Sequence, residues 1–200
     1  MKTQKKKSVI ILAGGKSVRM GYPKPWLKKN NDTTFLVEIV STFKNFGVDD
    51  IVVVLNDKLM TKEWENQLIR VKQNALVIKN HVPEKGRLYS LQLGLKATKY
   101  DTLFIHNVDN PFIENEVLEQ LSNKVETRGV TIPSYQGRGG HPVIISKTVK
   151  NEIINNYQNH TTLKEIFTCF TKTYIDVNSN SILKNINTPQ DLAKAKYEFA

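Results

Sequence analysis

The sequence predicts an α/β fold built around a mostly parallel sheet. Short apolar runs alternate with amphipathic stretches along the chain of 200 residues, and this alternation is typical of parallel β-α-β units. The length suits one domain with a substantial core. No repeat, linker or change in composition divides the chain, so we expect residues 1–200 to form a single domain.

Seven apolar runs of strand length mark the candidate strands. They are Ser8–Ala13, Asp50–Leu55, Ala75–Lys79, Asp101–His106, Gly129–Pro133, Pro142–Ile145 and Thr173–Val177. Their lengths fit the short strands of such a sheet. The segments Ser134–Gly140 and Asn178–Ser181 are rich in polar residues or glycine, and we predict that both are loops.

Helical patterns lie between most of these runs. Apolar residues recur at spacings of three and four in two stretches, and more weakly in a third. The residues are Phe35, Ile39, Val40, Phe43 and Phe46, then Leu88, Leu91 and Leu95, then Val117, Leu118 and Leu121. A further helix is expected with Thr188 as its N-cap, Pro189 at its first position and Asp191 in its first turn.

The composition is that of an ordinary globular protein with an excess of positive charge. Hydrophobic residues make up 40% of the chain, charged residues make up 24%, and the formal net charge is +10. A nucleic-acid-binding protein would more often gather its Lys and Arg in one stripe with interleaved aromatic residues. No such stripe is present, so we expect a basic solvated surface that attracts anionic nucleotides, and no nucleic-acid partner.

The cysteine count and the lengths of the apolar runs indicate the cellular location of the protein. Cys169 is the only cysteine, which excludes an internal disulfide and a cysteine-based metal site. The apolar run Val9–Ala13 is shorter than the ~7–15 residues of a signal-peptide core, and no run approaches the ~20 residues of a membrane span. We expect a cytoplasmic protein with no membrane partner, in which residues 1–7 form a flexible basic N-terminus.

The most informative segment is a glycine-rich loop that follows the first apolar run directly. Residues 12–24 read Leu-Ala-Gly-Gly-Lys-Ser-Val-Arg-Met-Gly-Tyr-Pro-Lys. Gly14 and Gly15 allow a sharp bend that brings backbone N–H groups close to an anion, and Arg19 and Lys24 add donors that suit phosphate oxygens. The spacing fits neither G-x-x-x-x-G-K-[ST] nor G-x-G-x-x-G. An ordinary glycine turn is the alternative, but the combination of residue types favours a triphosphate cradle.

A candidate metal ligand follows a later strand. Asp109 lies in the run Asn-Val-Asp-Asn-Pro over residues 107–111. Because ligands of open α/β sheets bind beyond the carboxyl ends of the strands, Asp109 and the glycine loop are expected at the same edge. A carboxylate there suits Mg²⁺. The alternative is an aspartate that caps a turn before proline, and the spacing alone leaves both open.

These motifs resemble a known enzyme family. The stretch L-A-G-G-x-S-x-R-M-G followed by P-K is similar to the signature of the MobA/MocA-like nucleotidyltransferases, and the resemblance extends from about residue 8 to about residue 195. It implies a single Rossmann-like, three-layer domain of the nucleotide-diphospho-sugar transferase type. It also implies transfer of a nucleoside monophosphate from a triphosphate to an acceptor, and the best-known members attach CMP or GMP to molybdopterin.

The resemblance assigns roles to particular residues. Nucleotide binding falls to Leu12, Ala13, Gly14, Gly15, Ser17, Arg19, Lys24, Asn80, Gly86 and Ser90. Arg19, Lys24 and Asp109 are the catalytic candidates. The runs V-D-N-P-F and N-I-N-T-P-Q-D-L give Asp109 and Asn187 as ligands of Mg²⁺ or Mn²⁺, with Asn187 standing where cytidylyl members tend to carry Asp. The run G-R-G-G-H-P-V gives Gly140 and His141 as residues near the acceptor.

The motifs divide between the two nucleotide-specificity branches of the family. Ala13-Gly14-Gly15 resembles the guanylyl branch, whereas Pro23-Lys24, Ser90-Leu91 and Gly140-His141-Pro142 resemble the cytidylyl branch. The implied partners are CTP or GTP and a phosphorylated small-molecule acceptor, with molybdopterin favoured, and the implied state is a monomer or a small homo-oligomer.

Three other functions are compatible with parts of the sequence. A sugar-phosphate or methylerythritol-phosphate nucleotidyltransferase shares the loop and the metal aspartate. A non-catalytic nucleotide-binding regulator is a reading of another class. A basic RNA-binding module has only the net charge in its favour.

Overall fold

The computed structural model describes residues 6–30 and 32–196, and within them it contains eight strands and seven α-helices. The strands are Lys7–Ala13 (β1), Asp50–Asn56 (β2), Leu76–Asn80 (β3), Thr102–Asn107 (β4), Gly129–Tyr135 (β5), Arg138–Gly139 (β6), Val143–Ile145 (β7) and Thr171–Asp176 (β8). The helices are Phe35–Asn45 (α1), Glu65–Lys72 (α2), Gly86–Ala97 (α3), Asn115–Asn123 (α4), Lys147–Asn156 (α5), Leu163–Thr168 (α6) and Pro189–Lys196 (α7).

The strands form one mostly parallel sheet in the order β3-β2-β1-β4-β7-β5-β6, with β8 paired to β5. β1 pairs in parallel with β2 and β4, β2 with β3, and β5 with β8. β7 runs antiparallel between β4 and β5, and β6 is antiparallel to β5. The predicted mostly parallel α/β architecture is therefore confirmed.

Helices cover both faces of the sheet because the central strand is apolar on both. Along β1, Val9 and Ile11 enter the core shared with α1, α2, α4 and α7, whereas Ile10 and Leu12 enter the core shared with α3, α5 and α6. α3 lies close to the sheet at Gly94, where a Cβ atom would come within 2.9 Å of the Ile10 side chain. This arrangement gives the expected three layers.

Two predicted boundaries are corrected by the structure. Lys7 is the first residue of β1 and is buried, with its ammonium 5.3 Å from the centroid of the Phe46 ring, so it does not belong to a flexible terminus. Residues 1–5 of that predicted segment lie outside the described residues. The predicted loop Ser134–Gly140 contains the end of β5 and the short β6, because Gln136 and Gly137 adopt positive φ angles of 50° and 76° and close a tight hairpin.

The predicted start of the last helix is confirmed. The backbone N–H of Asp191 donates to Thr188 Oγ1 at 3.2 Å, and the backbone N–H of Thr188 donates to Asp191 Oδ2 at 2.9 Å. These reciprocal hydrogen bonds form a capping box that begins α7 at Pro189. Across residues 6–30 and 32–196, none of the helices has the length and apolar character needed to cross a membrane.

Candidate active site

The carboxyl ends of β1 and β4 lie side by side and bring the two main motifs together. Leu12 is the register partner of Asn107, and the backbone N–H of Val108 donates to the carbonyl oxygen of Leu12 at 3.1 Å. The glycine loop that leaves β1 therefore faces the turn that carries Asp109. The predicted convergence at one edge of the sheet is confirmed.

A cleft of about 340 Å³ opens between these segments and the start of α3. It is lined by Leu12, Ala13, Gly14, Gly15, Ser17, Lys24, Pro25, Pro83, Gly86, Arg87, Ser90, Asn107, Val108 and Asp109. Nine of the predicted site residues are in this lining, and the predicted residues outside it are Arg19, Asn80, Gly140, His141 and Asn187. A larger groove of about 1010 Å³ lies at the other edge, beside Lys7, Thr102 and Ser146, and contains no glycine loop.

The glycine loop is held in shape by Ser17. This residue has a positive φ of 51°, and its carbonyl oxygen accepts hydrogen bonds from the backbone N–H groups of Met20 and Gly21 at 3.0 and 3.1 Å. Its hydroxyl accepts the backbone N–H of Lys24 at 3.2 Å. Because Ser17 ties both parts of the loop together, the chain turns back and presents Lys24 to the cleft.

Aromatic rings anchor the same loop from outside the cleft. The Tyr22 ring meets the Trp64 ring edge-on at 5.6 Å between centroids, and the Trp26 ring stacks on Trp64 at 6.0 Å. Trp26 is buried, and its indole N–H donates to the carbonyl oxygen of Leu59 at 3.1 Å. The segment after β2 thus fixes the outer part of the loop, a contribution that the sequence patterns did not reveal.

Lys24, Asp109 and Asn187 form the polar centre of the site. The Lys24 ammonium donates to Asn187 Oδ1 at 2.7 Å and lies 3.7 Å from Asp109 Oδ2. Arg19 Nη2 donates to the same Asn187 oxygen at 3.5 Å. Burial lowers the pKa of Lys24, whose side chain is 13% exposed, and the negative charge of Asp109 acts in the opposite direction. All four predicted residues are therefore brought together.

Asn187 reaches Asp109 through a backbone contact between distant segments. The N–H of Ile186 donates to the carbonyl oxygen of Asp109 at 2.6 Å, and the capping carboxylate of Asp191 accepts the N–H of Asn187 at 2.9 Å. The capping box that starts α7 therefore also orients Asn187. The interpretation of this motif as a helix cap is therefore compatible with a role of Asn187 in the site.

Buried polar residues support the Asp109 turn from below. His106 is fully buried in β4, and its Nε2 lies 2.7 Å from the carbonyl oxygen of Asn110, to which it donates. The Asn110 side chain donates to the carbonyl oxygen of Ser181 at 3.1 Å. Burial lowers the pKa of His106 to about 4, so the ring is neutral near pH 7. These contacts hold the turn without adding charge beneath Asp109.

Asn80 lies behind the cleft wall and Ser90 within it. Asn80 is fully buried, its amide donates to Ser90 Oγ at 2.9 Å, and its Oδ1 accepts the N–H of Val82 at 2.9 Å. The Ser90 hydroxyl in turn contacts the carbonyl oxygen of Gly86 at 3.2 Å. Within this structure Asn80 positions Ser90, which is the group that faces the cleft.

Gly140 and His141 lie next to the cleft at the start of β7. A Cβ atom on Gly140 would come within 2.3 Å of the Ile182 carbonyl oxygen, so a close approach of two backbone segments requires glycine there. His141 Nε2 lies 3.1 Å from the Asn107 amide, whose side chain lines the cleft. Burial, followed by the charges of His106 and Arg87, lowers the pKa of His141 to about 3.

Arg87 is a cleft residue that the sequence motifs did not predict. It lies in the first turn of α3, it is exposed to solvent, and it lines the cleft. Cations are disfavoured at the positive end of a helix. A cation in the run G-R-L-Y-S at a helix start was therefore a signal from which this residue could have been found.

The donors around Asp109 suit a hard divalent cation. Asp109 Oδ1 is buried and has no hydrogen-bond partner among the described residues, and Asn187 offers an amide oxygen that Lys24 also contacts. Oxygen ligands of this kind fit Mg²⁺ or Mn²⁺, which take the rest of their coordination from water and phosphate. No group of three His, Cys, Asp or Glu side chains in the described part of the chain could bind a metal by itself.

The chain is similar to known nucleotidyltransferases. The family model for the MobA-like NTP transferase domain matches residues 9–173. A probable molybdenum cofactor guanylyltransferase of Clostridium perfringens (strain 13 / Type A) is 31% identical over 82% of this chain and 78% of that protein. The molybdenum cofactor cytidylyltransferase of Escherichia coli (strain K12) is 23% identical over 95% of each chain.

A solved structure shows the same fold. A nucleotidyl transferase from Methanothermobacter thermautotroptrophicus superimposes with a TM-score of 0.79, at 19% identity and with 97% of each chain covered. At this identity the similarity establishes the architecture, which has the three layers described above.

Proposed function

The chain belongs to the MobA-like NTP transferase family, and we propose that it moves CMP or GMP from CTP or GTP onto molybdopterin, with release of pyrophosphate. The observation that carries the proposal is the cluster of Lys24, Asp109 and Asn187 at the mouth of a glycine-lined cleft. Names of the relatives support the acceptor, and they include both a guanylyltransferase and a cytidylyltransferase.

The proposed reaction is a direct in-line transfer. A phosphate oxygen of the acceptor bonds to the α-phosphorus of the nucleotide, and the bond from that phosphorus to the oxygen bridging to the β-phosphate breaks. Pyrophosphate leaves with that electron pair. Because the attacking phosphate is already ionised near neutral pH, the reaction needs no side-chain base. Catalysis then consists of positioning and neutralisation of charge.

Each side chain at the mouth of the cleft has a proposed part in this transfer. Backbone N–H groups at Gly14 and Gly15 hold the β- and γ-phosphates. Arg19 and Lys24 neutralise charge on the transferring group and on the leaving pyrophosphate. The Mg²⁺ or Mn²⁺ that Asp109 and Asn187 would hold supplies further neutralisation of phosphate charge.

The subsites for the base and for the acceptor are proposed on opposite sides of this centre. Leu12, Ala13 and Ser17 with Gly86 and Ser90 line the side toward α3 and the glycine loop, where the nucleoside is expected. Gly140 and His141 lie toward β7, where the acceptor is expected. A neutral His141 ring, held by Asn107, offers a hydrogen bond to the acceptor without a charge.

Calorimetric titration with each of the four nucleoside triphosphates, with and without Mg²⁺, tests the nucleotide half of the proposal. We expect metal-dependent binding of CTP or GTP and weaker binding of ATP and UTP. Lys24→Ala should weaken this binding, whereas Lys16→Ala, an exposed lysine of the same loop that does not line the cleft, should not. Absence of metal-dependent binding of all four nucleotides would contradict the proposal.

Pyrophosphate release tests the acceptor half. Molybdopterin should support release with the preferred nucleotide, while a sugar phosphate and methylerythritol phosphate should not. Release with one of the latter two would move the chain to another branch of the same chemistry. Nucleotide binding without release for any acceptor would favour a regulator.

A further inference from the structure

One cation of the cleft has no partner in the arrangement described above. The Arg87 guanidinium lines the cleft, and among residues 6–30 and 32–196 no hydrogen bond or ion pair joins it to another group. Surrounding protein atoms lower the pKa of Arg87, and the charge of Asp109 acts in the opposite direction. Because a guanidinium is not deprotonated in proteins, the side chain is charged and keeps its five donors for a ligand.

The position of Arg87 in its helix is unfavourable unless an anion is present. The first turn of α3 contains no acidic residue, and Lys85 at its start provides no side-chain cap. Lys85 places its ammonium 5.1 Å from the centroid of the Tyr89 ring and does not line the cleft. Arg87 therefore brings positive charge to the positive end of the helix, and a bound anion would turn this repulsion into attraction.

Arg87 and Lys24 both line the cleft with Asp109, and they belong to segments that pack on opposite faces of the sheet. α3 packs into the core that contains Ile10 and Leu12, whereas the Lys24 loop and Asn187 adjoin the core on the other face. The charge of Asp109 acts on both cations. Arg87 also acts on His141, which lies on the side where the acceptor is expected.

We propose that Arg87 binds a phosphate group of the reacting ligands, on the side of Asp109 opposite Lys24. This inference rests on the proposed function. A guanidinium can donate two parallel hydrogen bonds to one phosphate and so fixes its orientation as well as its charge. The nucleotide and the phosphorylated acceptor present the same chemistry to this side chain. Two cations on opposite sides of Asp109 would align the attacking and leaving groups.

The test compares Arg87→Ala, Arg87→Lys and the matched control Lys85→Ala by calorimetry. The probes are CTP and GTP with Mg²⁺, and inorganic phosphate added to the free protein and to the nucleotide-saturated protein. Arg87→Ala should weaken the binding of at least one probe by about tenfold or more. Arg87→Lys should recover part of the lost affinity, because lysine keeps the positive charge although it lacks the paired donors of the guanidinium. The affinities of Lys85→Ala should stay within about twofold of those of the unmodified protein. Because Arg87 is exposed, the unfolding midpoints of all variants should match.

The arms of the experiment separate the possible results. Weaker nucleotide binding assigns the phosphate to the nucleotide, and weaker binding of inorganic phosphate alone assigns it to the acceptor. If Arg87→Ala and Lys85→Ala bind every probe alike, the inference is overturned. If the unmodified protein binds no nucleotide, the proposed function fails, and the titration with inorganic phosphate still decides the role of Arg87.

Discussion

Two polar clusters at opposite edges of the sheet differ in how their buried groups are paired. At the amino edge, the Asp50 carboxylate accepts hydrogen bonds from the Ser8 hydroxyl at 2.7 Å and from the Lys99 backbone N–H at 2.8 Å. The Ser8 oxygen in turn accepts the backbone N–H of Tyr100 at 3.1 Å. Asp50 is only 6% exposed, yet this network joins β1, β2 and the end of α3 with its members paired to each other.

At the carboxyl edge, comparable groups are left without partners. Asp109 Oδ1 and the Nδ1 atoms of His106 and His141 are buried, and none has a hydrogen bond to a described residue. Buried polar atoms are almost always paired in folded proteins, so an unpaired group indicates a ligand, a water or a function. The comparison shows that the Asp50 network at the amino edge is closed on itself and serves stability, whereas an unpaired atom such as Asp109 Oδ1 at the carboxyl edge is available to a ligand.

Removal of charge from the carboxyl edge should have the largest effect. Lys24→Ala or Asp109→Asn should lower turnover by ~100-fold or more, because each group stabilises charge at the reacting phosphates. The free energy of unfolding should change little, since neither side chain belongs to a closed network. Steady-state pyrophosphate release measures turnover, and thermal unfolding measures stability. Near-normal turnover of Lys24→Ala would contradict the catalytic assignment.

The amino edge should respond in the opposite sense. Asp50→Ala should lower the free energy of unfolding by about 2–4 kcal/mol, because the buried Ser8 hydroxyl and the partly buried Lys99 N–H lose their acceptor. Asp49→Ala is the matched control, because the Asp49 carboxylate is exposed and accepts one hydrogen bond, from the Lys7 N–H. This variant should lower the free energy of unfolding by less than about 1 kcal/mol. Denaturant unfolding measures both. Equal losses for the two variants would break the comparison.

Acid should selectively destabilise the carboxyl edge. His106 has a pKa of about 4 in the folded protein against an ordinary 6.5, so between these values only the unfolded chain binds its proton. Its contribution to stability is complete above pH 6.5 and is lost progressively as pH falls towards 4. The slope is about 1.4 kcal/mol per pH unit for each such histidine. His106→Gln should remove that part of the slope in unfolding experiments, and an unchanged slope would contradict a neutral buried ring.

The smallest expected effect is at the glycine that enters the loop. A Cβ atom on Gly14 would lie 3.5 Å from the nearest backbone atom, Asn56 N, and 3.9 Å from Ser90 Oγ, which are ordinary contacts. Gly14→Ala should therefore shift the free energy of unfolding by less than about 1 kcal/mol. The new methyl group would take up space beside Ser90 in the cleft wall. Because guanine is larger than cytosine, the affinity for GTP should fall several-fold relative to that for CTP. Calorimetry with both nucleotides checks the ratio, and equal changes for both would exclude size selection.

Much of the fold and part of the candidate site could be predicted because the signals are local. Alternation of apolar runs and amphipathic stretches predicted the sheet. The apolar run that is followed directly by Gly14 and Gly15 predicted the loop. Since parallel strands share a carboxyl edge, Asp109 could be placed beside that loop. The hairpin at β6 was missed because two extended residues between glycines carry too weak a pattern.

The sequence by itself determined the α/β architecture, the glycine loop, the capping box of α7 and the edge at which the chemistry would gather. Tertiary structure alone decided that Asn187 meets Lys24 across 163 residues, through the hydrogen bond from Ile186 to Asp109. It also decided that Asn80 is buried behind Ser90 in the cleft wall while Arg87 lines the cleft. The physical reason is that local patterns specify which residues share an element, whereas side chains from separate elements become neighbours only when the layers pack.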